Sequence, residues 1–286
     1  MNELKGLIDC HTHTYFSPDA EAEPVEMVER AIELGLEAYA ITDHCECNRW
    51  FSIDYYNAEP NEHDTYDFGR DFDRSLNNTI KLKEIYGNKI NLICGIELGQ
   101  ATHDFEIADK AVQDERLDFI IGSMHELPNR PDFCFIKYEN YSASEIDKLL
   151  EDYFLELLKL CKWGKFDVLG HLTYTLRYIE GEYGLKINLS KYDDIIEECF
   201  KTVIQSSKGI EVNTSGLRQK YGKPFPEYKY IKLYRDLGGE IISLGSDAHR
   251  VSDLGKGISE CTELVKQAGF KYLAYFKKHK PEFIKI

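Results

Sequence analysis

Gly6-Leu7-Ile8-Asp9-Cys10-His11-Thr12-His13 opens with a short β-rich run, Gly6–Cys10, and sets two imidazoles one residue apart at its C-terminal end. Side chains alternate across an extended chain, so His11 and His13 fall on one side, where two ring nitrogens can grip one ion. Similar runs recur at Ala38–Thr42, Ile90–Ile96, Phe119–Met124, Val168–Gly170, Gly209–Val212 and Glu240–Leu244, which with the first predict seven strands. Helical patterns fill the gaps at Pro24–Leu34, Asp71–Tyr86, Asp104–Asp114, Ser144–Cys161, Ser190–Ser206, Pro226–Leu237 and Asp253–Gln267. Pro24 at the start of the first, acids in its first turn and Gly35 at its end mark a helix with both boundaries written in. Repeated βα units predict a mostly parallel sheet, either closed as a barrel or open and doubly wound.

Histidine placement decides between the two. Nine are present, and six of them, His11, His13, His44, His125, His171 and His249, lie at or within a few residues of the C-terminal end of an expected strand. Glu97 in Gly95-Ile96-Glu97-Leu98 and Asp247 in Gly245-Ser246-Asp247-Ala248-His249 do the same. In a barrel all those ends open on the face that carries the catalytic centre. That shared destination predicts a closed or nearly closed barrel. A lone His at a strand end is ordinarily a hydrogen-bonded structural residue, but six repeating the choice point to metal. Neutral imidazole and carboxylate suit zinc, iron or manganese rather than a thiolate site. His63, His103 and His279 fall in a loop, at a helix start and in a basic tail, and are left outside the site.

The chain has 286 residues, and a (β/α) barrel routinely needs roughly 250, so one domain over 1–286 is expected. Its 43% hydrophobic content suffices for a large core, and no apolar run approaches the roughly 20 residues of a membrane helix. Met1–Asp9 shows no secretory signal, so a soluble, cytoplasmic protein is expected. The eight cysteines, spread through such a chain, are expected to be reduced and mostly buried. Cys45–Arg70 has no periodicity and mixes Trp50, Phe51, Tyr55, Tyr56, Tyr66 and Phe68 with acids, which predicts an ordered loop covering a substrate. A formal net charge of -15 argues against nucleic acid as partner, since backbone affinity comes from clustered Lys and Arg. An acidic protein also repels a phosphate ester unless bound cations reverse the local field.

Ile8-Asp9-Cys10-His11-Thr12-His13-Thr14, Thr42-Asp43-His44, Gly95-Ile96-Glu97, Gly122-Ser123-Met124-His125, Gly170-His171 and Gly245-Ser246-Asp247-Ala248-His249, in this order, resemble the PHP (polymerase and histidinol phosphatase) superfamily. Glu211-Val212-Asn213-Thr214-Ser215-Gly216-Leu217-Arg218 resembles its histidinol-phosphatase branch in histidine biosynthesis. The resemblance spans nearly the whole chain. It implies a distorted, TIM-like seven-stranded (β/α) barrel and a trinuclear centre of three divalent metal ions. His11, His13, Glu97 and Asp247 would hold the first ion, and Glu97 would bridge to a second held by His125 and His171. Asp19, His44 and His249 would hold the third; Asp19 rests on the resemblance alone, because Ser17-Pro18-Asp19 also suits a plain turn.

The activity so implied is hydrolysis of a small phosphate monoester, L-histidinol phosphate, with Glu97, Asp247 and His249 as catalytic residues. A water shared by two ions roughly 3.5–4 Å apart is acidic enough to attack as hydroxide. Three ions bring about +6 against about -3 from Asp19, Glu97 and Asp247, which would make an acidic protein attractive to phosphate. Arg177 and Arg218 lie just past strand ends, where a guanidinium can grip phosphate oxygens; the alternative is a surface salt bridge. Glu46, Asp54, Glu62 and Asp64 are candidate partners for the substrate amine. Competing readings are a PHP-family phosphoesterase or nuclease acting on another phosphate ester and a silent metal-binding module. A barrel hydrolase of C–N bonds commonly places Lys where Glu97 stands.

Overall fold

Residues 4–47 and 70–286 are described by the computed structural model. Eight parallel strands are laid down in chain order: β1 (Ile8–Asp9), β2 (Ala38–Ile41), β3 (His44–Glu46), β4 (Asn91–Gly99), β5 (Phe119–Ser123), β6 (Val168–Leu169), β7 (Gly209–Asn213) and β8 (Ile242–Gly245). The sheet runs β1-β2-β4-β5-β6-β7-β8, with β3 carrying β2 onward past Thr42-Asp43 and pairing His44 with Glu97 of β4. Its ends meet: Cys10 N donates to Leu244 O at 2.8 Å, Asp247 N to His11 O at 2.7 Å, and Thr12 bridges Ala248. Buried Asp9 reinforces the seam by accepting the N–H groups of Ser246 and Gly255. The result is a nearly closed barrel of seven parallel staves.

The outer layer holds α1 (Pro24–Leu34), α2 (Arg70–Tyr86), α3 (Phe105–Ala111), α4 (Ala143–Trp163), α5 (Asp193–Gln205), α6 (Ser215–Arg218), α7 (Tyr228–Asp236) and α8 (Ile258–Gln267). Pro24 stands in the first turn of α1, and Gly35 ends the helix in the left-handed region, φ 78°, returning its N–H to Ala31 and Ile32. A capping box of Ser142 and Glu145 starts α4. Helix α8 begins at Ile258 instead of Asp253, because Gly255 and Gly257 take left-handed φ values of 79° and 80° that a continuing helix excludes. Among the described residues no helix is long and apolar enough to cross a membrane. Seven of the eight cysteines are buried and Cys134 is exposed; all are free thiols.

Three features differ from expectation, the four-residue α6 among them. Three residues are too few to show a period, so Cys45 and Glu46 of β3 stood within the expected loop. The basic tail, in turn, is an antiparallel hairpin, β9 (Tyr272–Lys277) and β10 (Lys280–Lys285). Its two-residue turn, Lys278-His279, takes φ of 48° and 62°, a shape usually announced by Asn-Gly, so the sequence carried no turn signal. Phe276 stacks on Phe119 at 4.9 Å, while His279 donates to Asp118 O and pairs with Asp167. The hairpin therefore closes the end of the barrel where strands begin, leaving the opposite mouth free for chemistry. The aromatics Trp50–Phe68, the acids Asp54, Glu62 and Asp64, and His63 lie outside the described residues.

Candidate metal centre

Every strand end named from the sequence delivers its side chain to one place. His11 and His13 leave β1, His44 begins β3, Glu97 sits within β4, His125 follows β5, His171 follows β6, and Asp247 and His249 follow β8. Glu97, 1% exposed, is the hub. Its Oε2 lies 3.4 Å from His11 Nε2 and 3.5 Å from His13 Nε2, while Oε1 lies 3.1 Å from His125 Nε2 and 2.7 Å from His171 Nε2. Asp247 Oδ1 adds a contact of 3.4 Å to His13 Nε2 and one of 3.9 Å to His11 Nε2. Asp19 stands at the mouth, with Oδ2 3.0 Å from His249 Nε2 and Oδ1 3.5 Å from His44 Nε2.

The ring orientations test whether this cluster suits a metal. His11 Nδ1 points at Glu211 Oε1 (2.6 Å), His13 Nδ1 at the Ser17 hydroxyl (3.1 Å), His125 Nδ1 at Glu46 Oε1 (3.2 Å) and His249 Nδ1 at the Asp247 carbonyl (3.1 Å). With Nδ1–H committed outward, each ring turns the lone pair of Nε2 inward. Those lone pairs then face one another: His11 Nε2 is 3.1 Å from His13 Nε2, and His125 Nε2 is 3.3 Å from His171 Nε2. Two acceptors at that distance repel unless a cation or a proton lies between them. His44 Nδ1 is 2.9 Å from Glu97 Oε2 but off the line a hydrogen bond needs. Ligand atoms of His11, His13 and Glu97, of His44, Glu97 and His125, and of His13, His44 and His249 each fall within 4.8 Å of one another. Nitrogen and carboxylate donors without sulfur fit zinc, iron or manganese.

Electrostatics agree. Burial alone would push the imidazoles toward neutrality, yet Glu211, Glu97 and Asp247 raise His11 well above its usual pKa. Asp19 and Glu97 do the same for His44, and Glu97 and Glu46 for His125. His13 goes the other way, pushed down to about 3 by burial and by the neighbouring His249 and His44. Glu97 and Asp247 stay well below the carboxylate range despite burial, because imidazoles surround them. The metal-free cluster is thus partly protonated near neutrality, and an ion must displace those protons. Since the raised pKa values lie above 6.5, metal affinity is expected to weaken already as pH falls through neutrality. Added metal should move the acid limb of the activity profile to lower pH, whereas a limb that ignores metal concentration would point to an ordinary catalytic acid or base.

Around this cluster the two arginines part company. Arg218 is occupied: its terminal nitrogens donate to the carbonyls of Ser246 (2.5 Å) and Asp247 (2.6 Å), with Nε 3.8 Å from Asp253. Held this way, it braces the turn that presents Asp247. Arg177 has no carboxylate partner among the described residues; its guanidinium lies 5.5 Å over the Tyr178 ring. Against burial, Tyr178, Tyr174, Asp247 and Asp19 hold its charge firmly in place. Glu46 does not stand free for an amine but joins His44 and His125, with Gln100 donating to its other oxygen. The supporting residues Glu211, Asn213, Ser17 and Asp43 were missed as site residues. A charged residue in the middle of an otherwise buried strand was the available signal for Glu211.

Comparison with known proteins gives the same picture. The PHP domain family matches residues 9–215. A probable histidinol-phosphatase of Thermotoga maritima is 30% identical over 268 residues, covering 94% of this chain and 95% of its own. A histidinol-phosphatase of Lactococcus lactis is 28% identical and covers 94% of each chain. The crystal structure of histidinol phosphate phosphatase from Lactococcus lactis, complexed with zinc, L-histidinol and phosphate, overlays with a TM-score of 0.79 at 26% identity, covering 96% of this chain and 98% of that one.

Proposed function

Since the chain belongs to the PHP domain family, we propose that it is a metal-dependent phosphomonoesterase that hydrolyses L-histidinol phosphate to L-histidinol and phosphate. The observation that carries this is the convergence of inward-facing imidazole nitrogens on the two oxygens of Glu97. Support comes from the full-length match to histidinol-phosphatases and from a structural relative that holds zinc, L-histidinol and phosphate.

In this reading His11, His13, Glu97 and Asp247 hold a first divalent ion, Glu97, His125 and His171 a second, and Asp19, His44 and His249 a third. When bound, such ions supply an acidified water and neutralise charge on the phosphoryl oxygens. The chain's own residues do the rest. Glu97, Asp247 and His249 form the catalytic set: Glu97 is the hub of the cluster, and Asp247 Oδ1 lies 3.6 Å from His249 Nδ1 and 3.4 Å from His13 Nε2 beside it. Tyr174 packs on the rings of His125 and His171 at 5.1 and 4.9 Å and hydrogen-bonds Tyr178 at 2.9 Å, which fixes the wall that carries Arg177. Arg177 binds the phosphate, since a guanidinium with no carboxylate partner among the described residues can form a forked pair with an anion beside it. Arg218 supports Asp247 from behind.

Turnover of L-histidinol phosphate that disappears on chelation and returns with zinc would support this reading; turnover indifferent to chelation would end it. A charge-assisted hydrogen bond contributes roughly 1.5–3 kcal/mol, so Arg177→Ala is expected to lower kcat/KM about 10–100-fold. The loss should be alike for L-histidinol phosphate and p-nitrophenyl phosphate, because both carry the phosphate. A loss confined to the first would place Arg177 at the leaving group instead.

A further inference from the structure

One carboxylate outside the ligand set touches two of the segments that build it and reaches a third through a neighbouring amide. Glu211, in the middle of β7, is 1% exposed. Its Oε1 accepts from His11 Nδ1 at 2.6 Å, and its Oε2 accepts the backbone N–H of His171 at 2.9 Å. Asn213, two residues on and facing the same way, places Nδ2 3.5 Å from Glu211 Oε2 and 3.3 Å from Asp247 Oδ2. The Asn213 amide is itself anchored, because its Oδ1 accepts from Ser215 N at 3.0 Å. Gly245 makes room for the arrangement. A Cβ at that position would stand 2.2 Å from His11 Cβ and 2.5 Å from Glu211 Oε1, so any other residue would push imidazole and carboxylate apart.

We propose that Glu211 is the positioning residue of the first metal pocket: it fixes His11 with Nε2 facing Glu97 and Asp247, and it aligns His171 and, through Asn213, Asp247. The inference rests on the metal-centre reading above. Its physical basis is that an acceptor on the far nitrogen sets the tautomer and orientation of a ligating imidazole and raises its basicity. An anionic acceptor does so more strongly than a neutral one. His13 and His249 have neutral partners, the Ser17 hydroxyl and the Asp247 carbonyl. Glu46, the anionic partner of His125, is 27% exposed and divides its charge among His125, His44 and Gln100. Glu211 is enclosed, so its effect on His11 is undiluted and the ion held by His11 is the one that depends on it most.

The test is zinc titration of the metal-free protein against a chromophoric chelator, for the parent chain, Glu211→Gln and Glu211→Asp. Glutamine preserves volume but removes the charge and leaves one acceptor oxygen for three donors. The tightest zinc affinity is expected to fall roughly 10–100-fold in Glu211→Gln, with part of the loss recovered in Glu211→Asp. The metal-free variant should still melt cooperatively, at a lower temperature than the parent because the His11 ring loses its anionic partner, and in cobalt-loaded protein the exchangeable ring N–H signal of His11 should shift. If Glu211→Gln does not fold, Glu211→Asp, which keeps the charge but withdraws it by one methylene, carries the comparison and should show an intermediate loss. A parent that takes up no metal would remove the centre itself. A parent that binds tightly, beside a variant isotherm within about threefold of it, would overturn the role of Glu211 alone. Weaker affinity that only tracks a lower melting temperature, with the cobalt signal unmoved, would also overturn it.

Discussion

Glu97→Gln is expected to abolish turnover, by roughly three orders of magnitude or more, while the barrel still folds. Both carboxylate oxygens are engaged, Oε2 with His11 and His13 and Oε1 with His125 and His171, so the substitution removes the charge common to two pockets. An amide also turns N–H donors toward rings that must keep their lone pairs inward. Two ions should be lost together rather than one. Asp247→Asn removes charge from a single pocket and should lower activity comparably with a smaller loss of metal. The fold should survive in both, because neither side chain takes part in the closure of β1 on β8, which runs through Asp9 and main-chain bonds. Activity, bound metal and circular dichroism on the same preparations check this; near-normal turnover in either variant would place the chemistry elsewhere.

Removing the metals should destabilise the protein, by about 4 kcal/mol for each ion present at a thousand-fold excess over its dissociation constant. In a chain of this size 1 kcal/mol moves the melting temperature by about 2–4 °C, so loss of two or more ions should lower it by more than about ten degrees. The metal-free form retains part of its stability through protons. His11, His44 and His125 have folded pKa values well above 6.5, so their contribution is fully present below that value and fades as pH rises through the folded ones. Metal-free protein should therefore be more stable at pH 6 than at pH 9. Calorimetry with and without chelator across that range checks both statements, and an unchanged melting temperature on chelation would contradict them.

How far the sequence carried these conclusions differs from residue to residue. The barrel was legible because strand-end histidines share a destination only if the sheet curls. The candidate ligands were legible because His and Asp at β-strand spacing have little structural use in such numbers. Asp19 was not, since Ser-Pro-Asp describes a turn equally well; its place between His44 and His249 depends on how the loop after β1 folds back. Nor could position alone separate the two arginines. Arg177 and Arg218 both follow strand ends, but the carbonyls of Ser246 and Asp247 occupy only the second. The support given by Glu211 was equally hidden, because it spans 200 residues of sequence to reach His11. The hairpin escaped because Lys-His is an uncommon pair for a left-handed turn.

The most direct test of the central claim is kcat/KM for L-histidinol phosphate, p-nitrophenyl phosphate and bis-p-nitrophenyl phosphate, measured on one metal-loaded preparation. L-histidinol phosphate is predicted to exceed p-nitrophenyl phosphate on the order of 100-fold or more despite its poorer leaving group, because contacts with the imidazole and amine are converted into orientation at phosphorus. The diester should be the poorest of the three. L-histidinol phosphate no better than p-nitrophenyl phosphate, or a diester cleaved fastest, would contradict the account.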